Sequence, residues 1–145
     1  MRTTLAVLGF LMFGFNAAAA EPFDGNWKLN LEKSKLQTND IVSRTNRIVQ
    51  TGPITHHSTT DIVLKSGKTF HREFDRTYDG KEHPVFGGFT EGLSEVCVSV
   101  DESTRKITQK KDGKVLGDFT VVLSKDGKVM TSSFSNGEIQ VYDRQ

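Results

Sequence analysis

Five two-residue signals punctuate the chain: Ser66-Gly67, Asp79-Gly80, Asp112-Gly113, Asp126-Gly127 and Asn136-Gly137. Asp-Gly and Asn-Gly accept the positive φ angles of tight type I′ turns, so each marks an antiparallel hairpin. The stretches between them are short and rich in Val, Ile, Thr and Phe. Strands are expected near 23–31, 44–51, 54–65, 68–78, 81–86, 92–100, 105–111, 114–124, 128–135 and 138–144. Helix is confined to the first twenty residues and at most a turn or two of "LEKSKLQTND". Strands joined to their sequence neighbours leave two open edges unless the sheet closes, and open edges template aggregation. The expected fold is therefore all-β: an up-and-down antiparallel β-barrel of about ten strands, able to enclose a small-molecule cavity.

Residues 1–20 stand apart. A charged Met1-Arg2 start, an apolar run from Leu5 to Phe15 and the tract Ala17–Ala20 read as a secretory signal peptide cut between Ala20 and Glu21. A membrane anchor needs ~20 apolar residues, and the strongly apolar part is shorter than that. The expected location is the periplasm or the exterior, with one domain over 21–145 and no stable membrane insertion. Loss of Arg2 leaves basic and acidic residues equal in number. A neutral chain carries no electrostatic footprint for nucleic acid or an anionic membrane. The single cysteine, Cys97, alternates with valines in "SEVCVSV" and reads as a small strand residue.

The stretch "FDGNWKLN" places Gly25-Asn26-Trp27, with the chain's one tryptophan, at the start of this domain. Together with the hairpin-linked strands and the terminal "VYDRQ", it resembles the lipocalin and fatty-acid-binding-protein superfamily. More closely, it resembles uncharacterised secreted bacterial lipocalin-like proteins, through Gly25 to Lys35, Tyr78 to Lys81 and Lys110 to Val115. The resemblance implies that Gly25 and Trp27 lie on the first strand, with Trp27 closing the barrel's narrow end. Two departures stand out. Only Leu31 to Ile41 separates the first two strands, too short for the helical lid of intracellular fatty-acid-binding proteins. Their Arg-x-Tyr pair on the last strand aligns with Gln140 and Tyr142, so the carboxylate-binding arginine is missing.

Hairpin geometry suggests which side chains meet. With Ser66-Gly67 as a two-residue loop, Val63 faces Phe70, Asp61 faces Arg72, Thr59 faces Phe74 and His57 faces Arg76. With Asp79-Gly80 treated likewise, Arg76 faces His83 and Phe74 faces Val85. One surface then carries Phe70, Arg72, Phe74, Arg76 and Tyr78, while Thr69, His71, Glu73, Asp75 and Thr77 make the other wholly polar. Burying the aromatic face brings two arginines inside, and a buried arginine needs an acceptor. Asp61 can serve Arg72. Arg76 has only His57 and His83, so one reading gives it the anionic group of a ligand. The other reading lets these side chains reach the rim and meet water.

The C-terminal hairpins give a more apolar wall, pairing Phe119 with Phe134, Val121 with Ser132, and Leu123 with Met130. The Asn136-Gly137 turn then sets Ile139 opposite Phe134 and Val141 opposite Ser132. That register turns Gln140 and Tyr142 outwards, against the family alignment.

His56, His57, His71 and His83 show no zinc-ligand spacing, and the register keeps His56 and His71 far apart on one face. No cofactor or metal is expected. Gly87-Gly88 and Gly92 in "FGGFTEG" read as a loop between strands, and no hydrolase elbow or phosphate loop occurs, so no catalytic residue is named. The resulting expectation is a monomeric, non-enzymatic binding protein for a small hydrophobic molecule with an anionic head. Phe70, Phe74, Phe119 and Phe134 would give apolar area, and Arg72 and Arg76 would orient the head, beside Tyr78, His57 and His83. The alternative is a ligand-free barrel serving as an envelope interaction or structural module.

Overall fold

The computed structural model describes residues 21–86 and 91–145. The expected signal peptide (1–20) and the Gly87-Gly88 part of the glycine loop lie outside them. Ten strands form, one for each stretch read from the sequence: β1 (Gly25–Leu29), β2 (Ile41–Gly52), β3 (Thr55–Leu64), β4 (Thr69–Thr77), β5 (Glu82–Pro84), β6 (Leu93–Ser99), β7 (Thr104–Lys111), β8 (Lys114–Leu123), β9 (Val129–Phe134) and β10 (Ile139–Arg144). They make one antiparallel sheet in the order β4-β3-β2-β1-β10-β9-β8-β7-β6-β5. First and last strands are therefore neighbours, with Trp27 opposite Arg144. The sheet curls until β4 comes against β6, which makes a nearly closed barrel. β5 is three residues long and pairs with β6 alone.

Loop length decides which face each side chain takes. Asp112 (φ 49°) and Gly113 (φ 76°) form the two-residue turn expected of them, closed by Lys111 and Lys114. The Asp126-Gly127 loop is longer but keeps the expected parity, so Phe119–Phe134, Val121–Ser132 and Leu123–Met130 all pair. Ser66-Gly67 and Asn136-Gly137 behave differently. Leu64 N–H bonds Lys68 O, and Phe134 N–H bonds Glu138 O, each at 2.9 Å. Both loops thus hold three residues, the third a glycine with φ of 82° or 87°. One extra residue reverses the faces of the partner strand.

Two expectations are corrected on this ground. His56, not His57, lies opposite Arg76, while Asp61 lies opposite His71 rather than Arg72. On β10, Gln140 and Tyr142 turn inwards and Ile139 outwards, as the family alignment implied and the turn reading did not. A third correction concerns Asp79-Gly80, which makes no hairpin. Gly80 N–H bonds Cys97 O on β6, and the Asp79 carboxylate takes the Lys81 N–H and the His83 ring. The chain is thereby drawn from β4 to β6, so Arg76 does not face His83 and Phe74 does not pair with Val85.

The barrel floor forms where β1 meets β10. Trp27 is fully buried, and its indole N–H bonds Phe23 O at 3.0 Å. Arg144 stacks over the indole at 4.1 Å and donates to the carbonyls of Pro22, Asp24 and Gly127. Phe23, Leu29, Cys97, Ile107, Leu123 and Met130 complete the packing. At the other end, residues 31–40 contain no helix; Lys35 makes two backbone bonds with Ile139 and straps the segment to β10.

Gly25 shows what this floor demands. Its φ is 141°, and a Cβ there would lie 2.6 Å from Nη1 of Arg144. Gly25→Ala is expected to cost about 1–3 kcal/mol through backbone strain and displacement of the guanidinium. Urea unfolding followed by the fluorescence of Trp27 measures this directly.

Candidate functional site

Inward positions of seven strands, with Phe23 and Tyr78 beside them, converge on a cavity of about 140 Å³. One wall is aromatic and aliphatic: Phe119 and Phe134 stack with centroids 4.6 Å apart, next to Val121 and Met130. The facing wall, from β2, β3 and β4, is polar, carrying Arg44, Asn46, His56, Ser58, Thr60, Arg72 and Arg76. Strand alternation explains the combination, because every second residue of these strands faces in and their sequences interleave Arg, Asn, Ser and Thr with Ile and Phe.

The arginines differ in how they are balanced. Arg76 makes a bidentate pair with Glu95 of β6, at 2.7 Å from Nε and 3.1 Å from Nη2. Burial opposes its charge, but the carboxylate outweighs burial and holds the guanidinium's pKa above its ordinary value. Glu95 is itself buried and accepts a further bond from Gln109 at 2.9 Å; burial resists its ionisation, and Arg76 more than compensates, lowering its pKa. Arg105 pairs with Glu21 and lies over the rings of Phe23 (4.5 Å) and Tyr78 (4.3 Å).

Arg72 has no such acceptor. Its Nε and Nη2 are shielded from solvent without a hydrogen-bond partner among the described residues. It rests on the ring of Phe74 at 4.6 Å, and Arg76 rests on that same ring at 4.6 Å. Burial, then the like charge of Arg76, lower its pKa from the usual guanidinium value; Glu95 opposes this in part, and Arg44 adds to it. Arg44 gives only Nη1 to Gln140 Oε1, at 3.3 Å, and its Nε is also buried without a partner. Gln140 Oε1 in turn accepts from the Tyr142 hydroxyl at 2.6 Å. The cavity thus presents four arginines against two carboxylates, with the unbalanced charge on Arg72 and Arg44.

Of the residues expected at the site, Arg72, Phe74, Arg76, Tyr78, Phe119 and Phe134 line the cavity. Phe70 shares their face but lies beyond the lining, beneath the Lys68 ammonium at 4.8 Å. His57 is on the outer surface with Asp75, and His83 is bound to Asp79; neither reaches the cavity. The roles of the two arginines are exchanged: Arg76, expected to await an anion, has Glu95, while Arg72, expected to have Asp61, has none. Arg44, Arg105 and Glu95 were not among the expected site residues, and His56 was weighed only as a metal ligand. Their signal was parity: Glu95 shares a face with Cys97, and Arg105 with Ile107.

With this geometry in view, solved structures give the comparison. The wild-type fluorescent protein UnaG matches with a TM-score of 0.60 and 17% identity, over 86% of this chain and 98% of that one. A Schistosoma mansoni fatty acid binding protein, solved in complex with arachidonic acid, matches at 0.55 and 18% identity, over 88% and 99%. The barrel is of the fatty-acid-binding-protein type. At these identities the likeness is one of fold. No protein-family model and no curated protein matches the sequence, and the narrower likeness to secreted bacterial lipocalin-like proteins has no support at that level.

Removing one charge at a time separates balanced from unbalanced arginines. Glu95→Gln leaves Arg76 buried and unpaired and is expected to cost about 3–5 kcal/mol. Arg72→Met removes a buried guanidinium without a hydrogen-bonded acceptor and is expected to stabilise the ligand-free protein by about 0.5–2 kcal/mol. Denaturant unfolding of both variants tests the opposite signs.

His56 supplies a pH dependence. Burial foremost, then Arg105, lowers its pKa from 6.5 to about 4. Its unfolded form takes a proton near 6.5 and its folded form near 4, so the unfolded chain binds more protons between those values. Its contribution is full above pH 6.5 and is lost as the pH falls towards 4, on the order of 3 kcal/mol. His56→Gln should flatten that part of the stability profile relative to the parent chain.

Proposed function

We propose that this protein is a binding protein for a small, mainly apolar molecule with an anionic group, which the unpaired Arg72 and Arg44 hold. The observation that carries the proposal is the Arg72 guanidinium, half-buried beside an aromatic wall with two N–H-bearing atoms lacking an acceptor. Burying a charge without a counter-charge is costly. A site that keeps one at its own expense is explained by a partner that supplies the opposite charge. A carboxylate fits, because the planar fork of Arg72 matches its two oxygens. Phe74, Phe119 and Phe134 would take the apolar body, and the Tyr142–Gln140 pair would hold Arg44 at the head.

Volume narrows the class. A cavity of about 140 Å³ is close to the ~150 Å³ that accepts benzene and below the ~300–1,000 Å³ of sites for drug-sized ligands. The ligand is therefore read as a compact organic acid, aromatic or short and branched. The absence of arginine at Gln140 supports a head-group position different from that of the Arg-x-Tyr proteins. Export to the periplasm or beyond, resting on the Met1 to Ala20 pattern, belongs to the same proposal, as do the secreted lipocalin-like relationship, a monomeric state and the lack of enzymatic activity. The small volume and the exposed Phe86, Val115 and Leu116 favour the second reading, a ligand-free barrel that interacts through its surface.

Calorimetric titration with benzoate-sized aromatic and short branched carboxylates, each beside its uncharged amide, decides between them. One or more acids should bind about tenfold or more tightly than the amide, and Arg72→Met should abolish that preference, as expected for a charged hydrogen bond worth about 1.5–3 kcal/mol. If no acid binds, the ligand-free reading takes its place; if an acid binds equally well to Arg72→Met, the assignment of its head group to Arg72 is overturned.

A further inference from the structure

We propose that the inner end of the cavity, at His56 and Arg105, is a subsite for a hydroxyl group that the ligand carries away from its acid. This rests on the reading of the cavity as an acid-binding site. It narrows the ligand to a hydroxylated acid, of which a phenol acid is the aromatic form.

The order of groups along the strands sets the two ends apart. On the facing strands β3 and β4, Thr60 lies opposite Arg72, Ser58 opposite Phe74 and His56 opposite Arg76. All six line the cavity. Four residues separate Thr60 from His56, roughly 13 Å of strand at ~3.3 Å per residue. The Arg72 guanidinium shortens this span, because it lies over the Phe74 ring at 4.6 Å. Arg76 is already paired with Glu95. The inner end is thus left to His56, with Tyr78 and Arg105 around it.

Two groups at that end lack a hydrogen-bond partner among the described residues. His56 is 3% exposed, and neither ring nitrogen makes a hydrogen bond. Burial, then Arg105, lower its pKa to about 4, with Asp24 opposing in part. The ring is therefore neutral near pH 7, with one N–H and one lone pair. Nε2 faces the Glu21 carboxylate at 3.7 Å. A carboxylate attracts an N–H and repels a lone pair, which assigns the proton to Nε2 and leaves Nδ1 as an acceptor. Arg105, also buried, gives Nη2 to the same Glu21, and its Nε–H is the second unpartnered group.

Both groups are held against Tyr78. The imidazole meets that ring edge-on with centroids 5.2 Å apart, and the Arg105 guanidinium lies 4.3 Å from its centroid. An acceptor and a donor flanking one ring call for a single group that both gives and takes a hydrogen bond. A hydroxyl does so: its O–H serves His56 Nδ1 and its oxygen takes the Arg105 Nε–H. An ether oxygen serves Arg105 alone, and a methyl group serves neither. A buried polar group left unpaired is costly, so the inner end favours the hydroxyl over both.

Calorimetric titration with para-hydroxybenzoate, para-hydroxyphenylacetate and para-hydroxyphenylpropanoate tests the subsite and the span together. Each is compared with its methyl ether and with the acid lacking the hydroxyl. At least one hydroxy acid should bind about three- to tenfold more tightly than both comparators. His56→Leu should erase that preference, and His56→Gln, whose amide oxygen accepts, should keep part of it. The preference for acid over amide, set at Arg72, should survive in both variants. The uncharged pair para-cresol and para-methylanisole reads the inner end alone. Cresol favoured in the parent but not in His56→Leu supports the subsite even where no acid binds, and only the Arg72 reading then fails. The Nδ1 nitrogen resonance of His56 in the parent needs no variant: it should move on adding the preferred hydroxy compound and stay on adding its ether. The subsite is overturned if hydroxyl and ether compounds bind alike, if none of them binds, if the preference survives in His56→Leu, or if the Nδ1 resonance stays in place.

Discussion

The ion pair between Arg76 and Glu95 stands where the backbone cannot hold the barrel together. A sheet closes by a ladder between its end strands, but here β4 and the short β5 make none, and the chain passes from β4 to β6 through Gly80 and Cys97. A bidentate pair joins β4 to β6 across that seam, with Gln109 of β7 as a third member. Such a pair carries a desolvation cost that its own attraction only partly recovers, so its value lies in what it fixes. It sets the position of β4, and with it the ring of Phe74, on which Arg76 and Arg72 both rest. By committing Glu95 to Arg76, it leaves Arg72 as the cation to be answered from elsewhere. Seam and site are thus coupled through one carboxylate.

This division of labour separates the two ends of the barrel. At the floor, polar demands are met from within the chain: Arg144 finds three carbonyls and an indole face, and Trp27 finds the Phe23 carbonyl. In the cavity, the polar wall is only partly satisfied, with free valences on Arg44, Asn46, His56, Arg72 and Arg105. Buried polar atoms are nearly always hydrogen-bonded in native proteins, and among the described residues the exceptions gather around one cavity. The pattern is one of cost concentrated around the cavity and stability concentrated on the floor.

Strand count, strand positions and barrel class were legible because hairpin signals and β-branched runs are local. Facing was legible only where the loop length was. Asp112-Gly113 puts both residues at positive φ and makes the short turn; Ser66-Gly67 and Asn136-Gly137 contain the same kind of dipeptide but place glycine third in a longer loop. Dipeptide identity does not distinguish these cases, because a glycine in the left-handed region serves both. A single residue then moved His57 out and His56 in, and moved Gln140 and Tyr142 in. The family alignment had the second of these right, since it counts residues from the chain's end rather than from a turn. Arg72 was placed correctly on its face yet given the wrong partner for the same reason.

Glu95 was beyond reach for a different cause. Its contact with Arg76 crosses between strands that are not ladder partners, and no hairpin rule reports on such pairs. What sequence does show is parity: Glu95 alternates with the buried Cys97, whose thiol burial pushes up to about 11 and so keeps neutral beside it. A carboxylate on the inward face of a strand requires an inward cation, just as Arg72 and Arg76 on β4 require anions. Counting inward charges over the whole barrel, rather than along neighbouring strands, gives an excess of arginine whichever way they are paired. The excess is a property of composition and alternation alone, and it survives every error of register that keeps each strand on its own face. What the register error changed is which arginine carries the excess: Arg76 is answered by Glu95, and Arg72 is not.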